Sequence, residues 1–227
     1  MADIALGQTA TSKNYTVSSL TFALNNTSGS FLVVCVGLNK SGASVSSITF
    51  NGTSLSKLTS IAGTSYSYLI CELWYLAVAP QVNANIVITA STTCDYFYGA
   101  GVTVTNVNSA SNQGGGETLT TSHVTRTVTT TIDKSWRVET CMNNGAAGVN
   151  PDSGQTNFGS HDNIFAASYE GPITPAGSDT SGFTTNAGND NWVMLGWVLE
   201  PSASAAPKSL AINTRNLAQS QLVGAKI

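Results

Sequence analysis

Two histidines and a set of scattered carboxylates are the residues of this 227-residue chain whose types could do chemistry. His161 is followed directly by Asp162, and such a pair could act as a general base with its orienting carboxylate or as two metal ligands. No third partner is recognisable nearby, since the chain has neither a G-x-S-x-G elbow nor an HExxH pair. His123 opens an alternating segment, where we expect an exposed side chain. The histidines therefore predict neither a catalytic nor a metal site.

The carboxylates are spread along the chain rather than grouped in a motif. A glycosidase needs two of them about 5–10 Å apart in a cleft, and the sequence indicates no such pair. Glu72 stands inside an apolar strand, where we expect a structural ion pair with Arg137 or Arg126. Asp152-Ser153-Gly154 and Asp162-Asn163 could offer oxygens to calcium, but they match no defined calcium loop. We predict a protein that is not an enzyme and that holds no cofactor and no metal.

The four cysteines fit no CxxC or zinc spacing. Cys35 and Cys71 lie inside apolar strands, and free cysteines are often buried as small hydrophobic residues. We expect that role for them, with a Cys35–Cys71 disulfide as the alternative. Because the N-terminus lacks a signal peptide, we expect synthesis in a reducing compartment.

Two groups of aromatic residues could contact a ligand or another subunit. Tyr96, Phe97 and Tyr98 are consecutive, so an extended backbone turns at least one of their rings outward. Trp192 and Trp197 stand in a late apolar strand. Exposed aromatic rings on a sandwich can stack on sugars. The alternative is that these rings pack against a neighbouring loop or subunit.

The composition limits the class of protein. Charged residues make up 9% of the chain, far below the usual quarter, and Ser, Thr, Asn and Gly take their place. Such polar, weakly charged surfaces are common in proteins that work outside cells or inside large assemblies. The net charge is −3 without a basic patch, and no apolar run is long enough to span a membrane. We therefore expect no nucleic-acid partner and no membrane partner.

Short alternating or apolar segments separated by turn residues predict an all-β protein. Asn51-Gly52 is a strong signal for a type I′ hairpin, because both central residues of that turn need positive φ. A two-residue turn there pairs Phe50 with Thr53 and places Ile48, Phe50 and Leu55 on one face. The expected fold is an antiparallel β-sandwich, with a jelly roll as its topology and an extended C-terminal tail.

Other segments receive a more local prediction. Residues 92–99, the Ser/Asn/Gly stretch ending at 116, residues 143–162 and residues 171–182 are expected to be loops. In the strand at 136–140, alternation places Trp136 and Val138 inward and Arg137 and Glu139 outward.

Two predicted strands are apolar on both faces, residues 31–38 and 192–199. Antiparallel strands of a sandwich usually keep one wet face. Either loops of the same chain cover the second face or another subunit packs against it, which would make the chain a homo-oligomer.

The chain divides into three segments. Residues 1–20 form an arm or an edge strand, residues 21–202 form the sandwich, and residues 203–227 form a C-terminal tail. The tail has too few apolar residues to fold alone, so we expect it to become ordered only against another surface and to act as an anchoring arm. Its candidate anchor residues are Leu210, Ile212, Leu217, Leu222 and Ile227.

The order of these motifs resembles a jelly-roll or concanavalin-like β-sandwich module of bacteriophage virion proteins and large bacterial surface proteins. The resemblance covers about residues 30–201. It rests on the Asn-Gly hairpin at 48–55, Leu-Trp-Tyr-Leu at 73–76, Pro80, the alternating segment at 84–89, Trp136 to Val138, Ala176-Gly177, Trp192 and Leu199-Glu200-Pro201.

This resemblance implies a structural role in a virus particle. The chain would be a capsid decoration, head-fibre or tail-fibre protein that contacts other copies and other virion proteins. It would be made in the host cytoplasm and located in the virion, which agrees with the missing signal peptide. The alternative is a carbohydrate-binding adhesion module at an extracellular surface, with a host-surface glycan as its partner and Tyr96, Tyr98 and the loops near 152–162 as its platform.

Overall fold

A computed structural model describes residues 2–145, 148–186 and 188–202. The predicted anchoring tail at 203–227, with Leu210, Ile212, Leu217, Leu222 and Ile227, lies outside the described residues. The part of the chain that is described forms antiparallel strands and contains no helix. The all-β antiparallel sandwich predicted from the sequence is therefore confirmed.

The described residues form fifteen strands. They are β1 (Ala5–Asn25), β2 (Phe31–Asn39), β3 (Val45–Phe50), β4 (Thr53–Ser54), β5 (Ser56–Ala62), β6 (Leu69–Leu76), β7 (Asn83–Thr105), β8 (Val107–Thr121), β9 (His123–Thr129), β10 (Ser135–Asn143), β11 (Val149–Pro151), β12 (Thr156–His161), β13 (Phe165–Ile173), β14 (Ser178–Thr185) and β15 (Asp190–Pro201).

These strands form three sheets. The first sheet has the order β4-β3-β7-β2-β6-β5, with β1 paired to β7. The second has the order β12-β13-β10-β15-β8, and the third has the order β11-β14-β9. Strands β1–β7 thus complete one sheet before the chain enters the other two, whereas consecutive strands of a jelly roll alternate between sheets.

Strand β7 is long enough to belong to two layers. Its first part pairs with β3, where Ile86 lies opposite Phe50, and its last part pairs with β2, where Val104 lies opposite Phe31. Between them the register with β1 jumps from Ser19↔Thr89 to Val17↔Cys94, which inserts extra residues into β7. Such a bulge bends a strand sharply.

The bend folds the first sheet onto itself. A Cβ atom added to Gly101 would lie 2.7 Å from Cδ1 of Ile86, and one added to Gly99 would lie 2.9 Å from Cδ1 of Ile88. Two parts of the same strand therefore face each other across a hydrophobic core, and glycine permits their close approach.

Three cores separate the layers. Val33 and Cys35 of β2 face the core between the first and second sheets, whereas Val34 and Val36 face the core inside the folded first sheet. The third core lies between the second and third sheets and contains Trp192. Strands β2 and β15 are buried on both faces because the chain itself supplies a layer on each side. The predicted alternative of a subunit covering the second face is therefore wrong for both strands.

The predicted hairpin is confirmed in type and register. Asn51 has φ 49° and Gly52 has φ 75°, as a type I′ turn requires. Phe50 pairs with Thr53, and the Leu55 N–H donates to the Ile48 carbonyl at 2.9 Å. Ile48, Phe50 and Leu55 all point into the core inside the first sheet.

Several predicted loops are strands instead. Residues 92–99 continue β7, residues 107–121 form β8, and the stretches at 143–162 and 171–182 contain parts of β11, β12, β13 and β14. These segments are rich in Ser, Thr, Asn and Gly and show no hydrophobic alternation, so the sequence does not mark them as strands. They form strands because they pair with apolar neighbouring strands. Residues 5–20 form an edge strand that pairs with β7.

The two-sided burial of β2 predicts matched costs for two adjacent substitutions. Val33→Ala and Val34→Ala should each lower the free energy of unfolding by about 2 kcal/mol, because each removes two buried methyl groups from a different core. Chemical denaturation at several protein concentrations measures this. The exposed Thr21→Ala serves as control and should change stability by less than about 0.5 kcal/mol. A loss for Val34→Ala that depends on protein concentration would contradict internal burial.

Candidate functional site

The structure separates the predicted aromatic residues into one exposed ring and four buried ones. Tyr96 is 38% exposed. Phe97, Tyr98, Trp192 and Trp197 are fully buried, Phe97 inside the first sheet and the others between sheets. These four rings cannot touch a glycan or a second subunit on the folded chain, so that prediction is wrong for them.

Tyr96 belongs to a small surface cluster on β1, β7 and the turn between β12 and β13. We call Lys13, Tyr15, Tyr96 and Asp162 the tyrosine patch. The strand register places Tyr15 opposite Tyr96 and Lys13 opposite Tyr98, so the side chains of Lys13, Tyr15, Tyr96 and Tyr98 share one face of the first sheet. Tyr98 lies in the core under the second sheet, whereas Tyr15 is 45% exposed. The patch begins where the second sheet stops covering the first.

A tight turn between β12 and β13 positions Asp162 beside Lys13 and Tyr15. Asp162 and Asn163 have φ 55° and 60°, and the Ile164 N–H donates to the His161 carbonyl at 3.0 Å. Asp and Asn tolerate the left-handed conformation better than most residues. The Asp162-Asn163 dipeptide, considered in the sequence only as a source of calcium ligands, therefore builds a hairpin turn over β1 and β7.

The Asp162 carboxylate is the polar centre of the patch. It accepts hydrogen bonds from the Tyr15 hydroxyl at 2.8 Å and the Tyr98 hydroxyl at 3.2 Å, and it pairs with Lys13. Burial alone would raise the pKa of Asp162, but the hydrogen bonds from Lys13 and Tyr15 hold it below its ordinary value. The hydrogen bond to Asp162 raises the pKa of Lys13. At neutral pH the pair is therefore a carboxylate and an ammonium.

The rings of the patch form a continuous aromatic stack into the core. Tyr15 meets Tyr96 edge to face with ring centroids 5.4 Å apart. Tyr96 lies parallel to Tyr98 at 6.3 Å, and Tyr98 lies parallel to Phe165 at 5.5 Å. Burial raises the pKa of Tyr98 far above its usual value, and the charge of Asp162 adds to this effect, so its phenol stays protonated.

His161 and Asp162 have separate hydrogen-bond partners. The His161 Nε2 shares a hydrogen bond with the Thr11 hydroxyl, while Asp162 faces Lys13 and the tyrosines. Burial lowers the pKa of His161, and the charge of Lys13 lowers it further, so the ring is neutral at pH 7. The cluster offers hydrogen-bond donors, hydrogen-bond acceptors and aromatic ring surfaces.

A second polar cluster is buried between the second and third sheets around Arg137. Trp136 and Val138 face the core as predicted, and Arg137 and Glu139 lie on the opposite face, but the predicted exposure of these two to solvent is wrong, since both side chains are fully buried. The Arg137 Nη1 lies 3.0 Å from the Asp179 carboxylate, its Nε lies 3.5 Å from that of Glu139, and its Nη2 pairs with Glu170. The prediction from alternation took one face of β10 to be exposed to solvent, but the third sheet covers that face.

Glu139 is the member of this cluster whose pKa is raised by burial. Its carboxylate accepts hydrogen bonds from the Ser181 hydroxyl at 3.0 Å and from the Gln155 amide. Burial raises the pKa of Glu139 to about 7, and the opposing effects of Arg137 and these hydrogen bonds only limit the rise. The cluster ties β10, β13 and β14 together, which is a structural role.

The remaining candidate residues also have structural partners. Glu72 pairs with Lys57 at 3.0 Å and accepts from the Trp74 indole at 2.8 Å, so its expected pairing with Arg137 or Arg126 is wrong. His123 Nε2 lies 2.8 Å from the Asp152 carboxylate. Among the described residues, no group of three or more His, Cys, Asp and Glu side chains could hold a metal.

The cysteines occupy the positions expected from the sequence. All four are free and buried, and no disulfide joins Cys35 to Cys71. Burial raises the pKa of each thiol, for example to about 11 for Cys94. The thiols are therefore protonated and shielded at neutral pH.

One shallow depression lies beside the patch. It has a volume of about 380 Å³ and is lined by Asn39, Lys40, Ser41, Tyr68 and Asp95. Asn39 pairs with Tyr96 across the sheet. Lys40 and Asp95 form a loose, exposed ion pair at 3.8 Å, which contributes little to stability.

The chain has no match among family models, among curated proteins or among solved structures. Within the described residues, no helix is both long and apolar enough to cross a membrane. The resemblance to virion and surface modules thus rests on the sequence motifs alone.

The buried carboxylate predicts how stability changes with pH. Because the pKa of Glu139 rises from 4.5 in the unfolded chain to about 7 in the fold, the unfolded state loses its proton first. Stability from this group is complete below pH 4.5 and is lost as the pH rises to about 7, by roughly 3 kcal/mol at most. Glu139→Gln should abolish this decline.

Urea denaturation of the wild type and of Glu139→Gln across pH 4 to 8 measures the effect as a difference between the two proteins. The difference is needed because His161, whose pKa is lowered, acts in the opposite sense near neutral pH. Glu117→Gln is the control, because the Thr64 hydrogen bond lowers the pKa of that half-buried carboxyl, and its effect on stability therefore lies below pH 4.5. Equal pH profiles for wild type and Glu139→Gln would contradict the prediction.

Proposed function

We propose that this chain is a non-enzymatic structural protein of a virus particle, a capsid decoration or fibre-type component exposed on its surface. It works by contact with other copies and other virion proteins. It is made in the host cytoplasm and incorporated into the virion there.

This proposal is supported by the observation that the ionisable groups stabilise the fold. Arg137, Glu139 and Glu72 are buried and hold strands together, and Asp162 is engaged by three donors. Groups that could do acid–base chemistry are thus used to build a rigid scaffold. The surface that remains is rich in hydroxyls and amides and poor in charge, which suits a protein packed into a large assembly.

The C-terminal tail supplies the attachment in this proposal. Residues 203–227 carry three basic residues and no acidic one, whereas residues 1–202 carry six basic and twelve acidic residues. The tail would bind a neighbouring virion protein through Leu210, Ile212, Leu217, Leu222 and Ile227, leaving the sandwich outside.

Particle fractionation tests this function. In a density gradient of a culture lysate that contains the chain, it should co-migrate with particles and remain after a high-salt wash. Full-length Leu210→Ser/Ile212→Ser should shift to the free-protein fractions, whereas the control Asn213→Ser/Asn216→Ser should stay bound. A wild-type chain found only in free-protein fractions would sink the proposal. Particle-bound Leu210→Ser/Ile212→Ser would sink the anchoring role of those two residues.

A carbohydrate-binding adhesion module is the second candidate. The tyrosine patch favours it, because exposed tyrosine rings beside a Lys–Asp pair provide both stacking and hydrogen-bonding groups. The two candidates are compatible if the module is displayed on a particle. Light scattering of the isolated chain measures its native mass. A stand-alone module should be a monomer, whereas a fibre-type component that contacts other copies should be an oligomer.

A further inference from the structure

We propose that the tyrosine patch is a binding site for a neutral saccharide, with a sugar ring seated against Tyr15 and Tyr96 and its hydroxyls bonded to Lys13 and Asp162. This inference rests on the second candidate function, a carbohydrate-binding module. It deepens that candidate by naming the residues that contact the sugar and the charge class of the ligand.

The first support is the exposure of two touching rings. Five large apolar side chains are exposed in the described part of the chain, namely Leu6, Tyr15, Val78, Tyr96 and Leu119. Tyr15 and Tyr96 contact each other at a centroid distance of 5.4 Å, and so combine their exposed surfaces. Aromatic rings present an apolar face with a polar tip, which matches the apolar CH face and hydroxyl rim of a sugar.

The second support is the rigidity of the patch. Both tyrosines stand on paired strands, and Tyr96 rests on the buried ring of Tyr98. The Tyr15 hydroxyl is held by Asp162 at 2.8 Å. A ligand therefore does not have to order these side chains, which reduces the entropic cost of binding to a shallow surface.

The third support is the supply of polar groups next to the rings. An ammonium has three donors and a carboxylate has about four acceptor positions. Lys13 donates to Asp162 and lies 5.5 Å from the centroid of the Tyr15 ring, and the Asp162 carboxylate accepts from Lys13, Tyr15 and Tyr98. The side chains of Lys13 and Asp162 remain 37% and 21% exposed. A donor and an acceptor this close together match a pair of adjacent sugar hydroxyls.

Charge and size select the class of ligand. Lys13 and Asp162 neutralise each other, so the patch has no excess charge for an acidic sugar or a phosphate. The nearest exposed neighbour on the same face of β1 is a hydroxyl residue, Thr11. A stable protein interface buries about 800 Å² on each partner and is apolar at its centre. Two exposed rings beside a Lys–Asp pair fit one or two sugar units better.

Binding of defined oligosaccharides to the full chain tests the proposal. The probes are neutral tetrasaccharides of glucose, galactose and N-acetylglucosamine, with a tetragalacturonate as the acidic comparison, measured by saturation-transfer NMR and calorimetry. We expect at least one neutral probe to bind the wild type. Tyr96→Ala and Tyr15→Ala should weaken that binding by at least about tenfold, because each removes a stacking ring.

Two controls separate stacking from misfolding. Tyr96→Phe keeps the ring and should bind within about twofold of the wild type, since stacking depends on the ring rather than on its hydroxyl. Leu119→Ala changes an exposed apolar residue on β8 and should leave binding unchanged. Thermal unfolding of each variant reports whether the sandwich is intact.

Four results would overturn the saccharide site. They are no binding of any neutral probe, preference for the acidic probe, unchanged binding by folded Tyr96→Ala and Tyr15→Ala, or a change of native mass in those variants, which would make the patch an interface between copies. Particle fractionation of Tyr96→Ala keeps the two proposals distinguishable. A variant that loses saccharide and stays on particles supports both, whereas a wild type that binds saccharide but never joins particles leaves only the binding site.

Discussion

The fold of strand β7 back on itself is the constraint on which the rest of the structure depends. It brings Ile86 and Ile88 over Gly101 and Gly99 of the same strand, and so encloses a core inside the first sheet. Without that bend the second face of β2 would meet water, because the second sheet can cover only one side of it. A bulge opposite β1 and two glycines thus convert one sheet into two layers.

The Arg137 cluster is the corresponding constraint on the other side of the molecule. Burying a guanidinium is costly unless carboxylates surround it, and here they come from β10, β13 and β14. The cluster therefore fixes how the third sheet sits on the second. Removing Arg137 would leave the fully buried Glu139 without its cationic partner, and Glu170 and Asp179 without theirs, so β10, β13 and β14 depend on one another. The raised pKa of Glu139 reflects this arrangement, because burial disfavours its charged form.

The sequence predicts best the features that have a local cause. The Asn51-Gly52 hairpin follows from turn chemistry, and the apolar strands follow from their composition. Arg137 and Glu139 could not be placed, because alternation along one strand does not reveal a further layer above it. Of the patch, Tyr96 could be named, but Tyr15 and Lys13 reach it only through the pairing of β1 with β7, which lies far away in sequence. The Asp162-Asn163 dipeptide was a readable signal for the turn that completes it.

The position of the patch follows from a difference in extent between two sheets. Tyr98 is the last ring of its row that the second sheet covers, and Tyr96 and Tyr15 are the first beyond it. A binding surface built in this way inherits the rigidity of paired strands, whereas a loop site must be ordered by its ligand. It is also shallow, so a single copy would bind a saccharide weakly. Many copies held on one particle would raise the effective affinity without any new contact, and that links the proposed structural role to the proposed ligand.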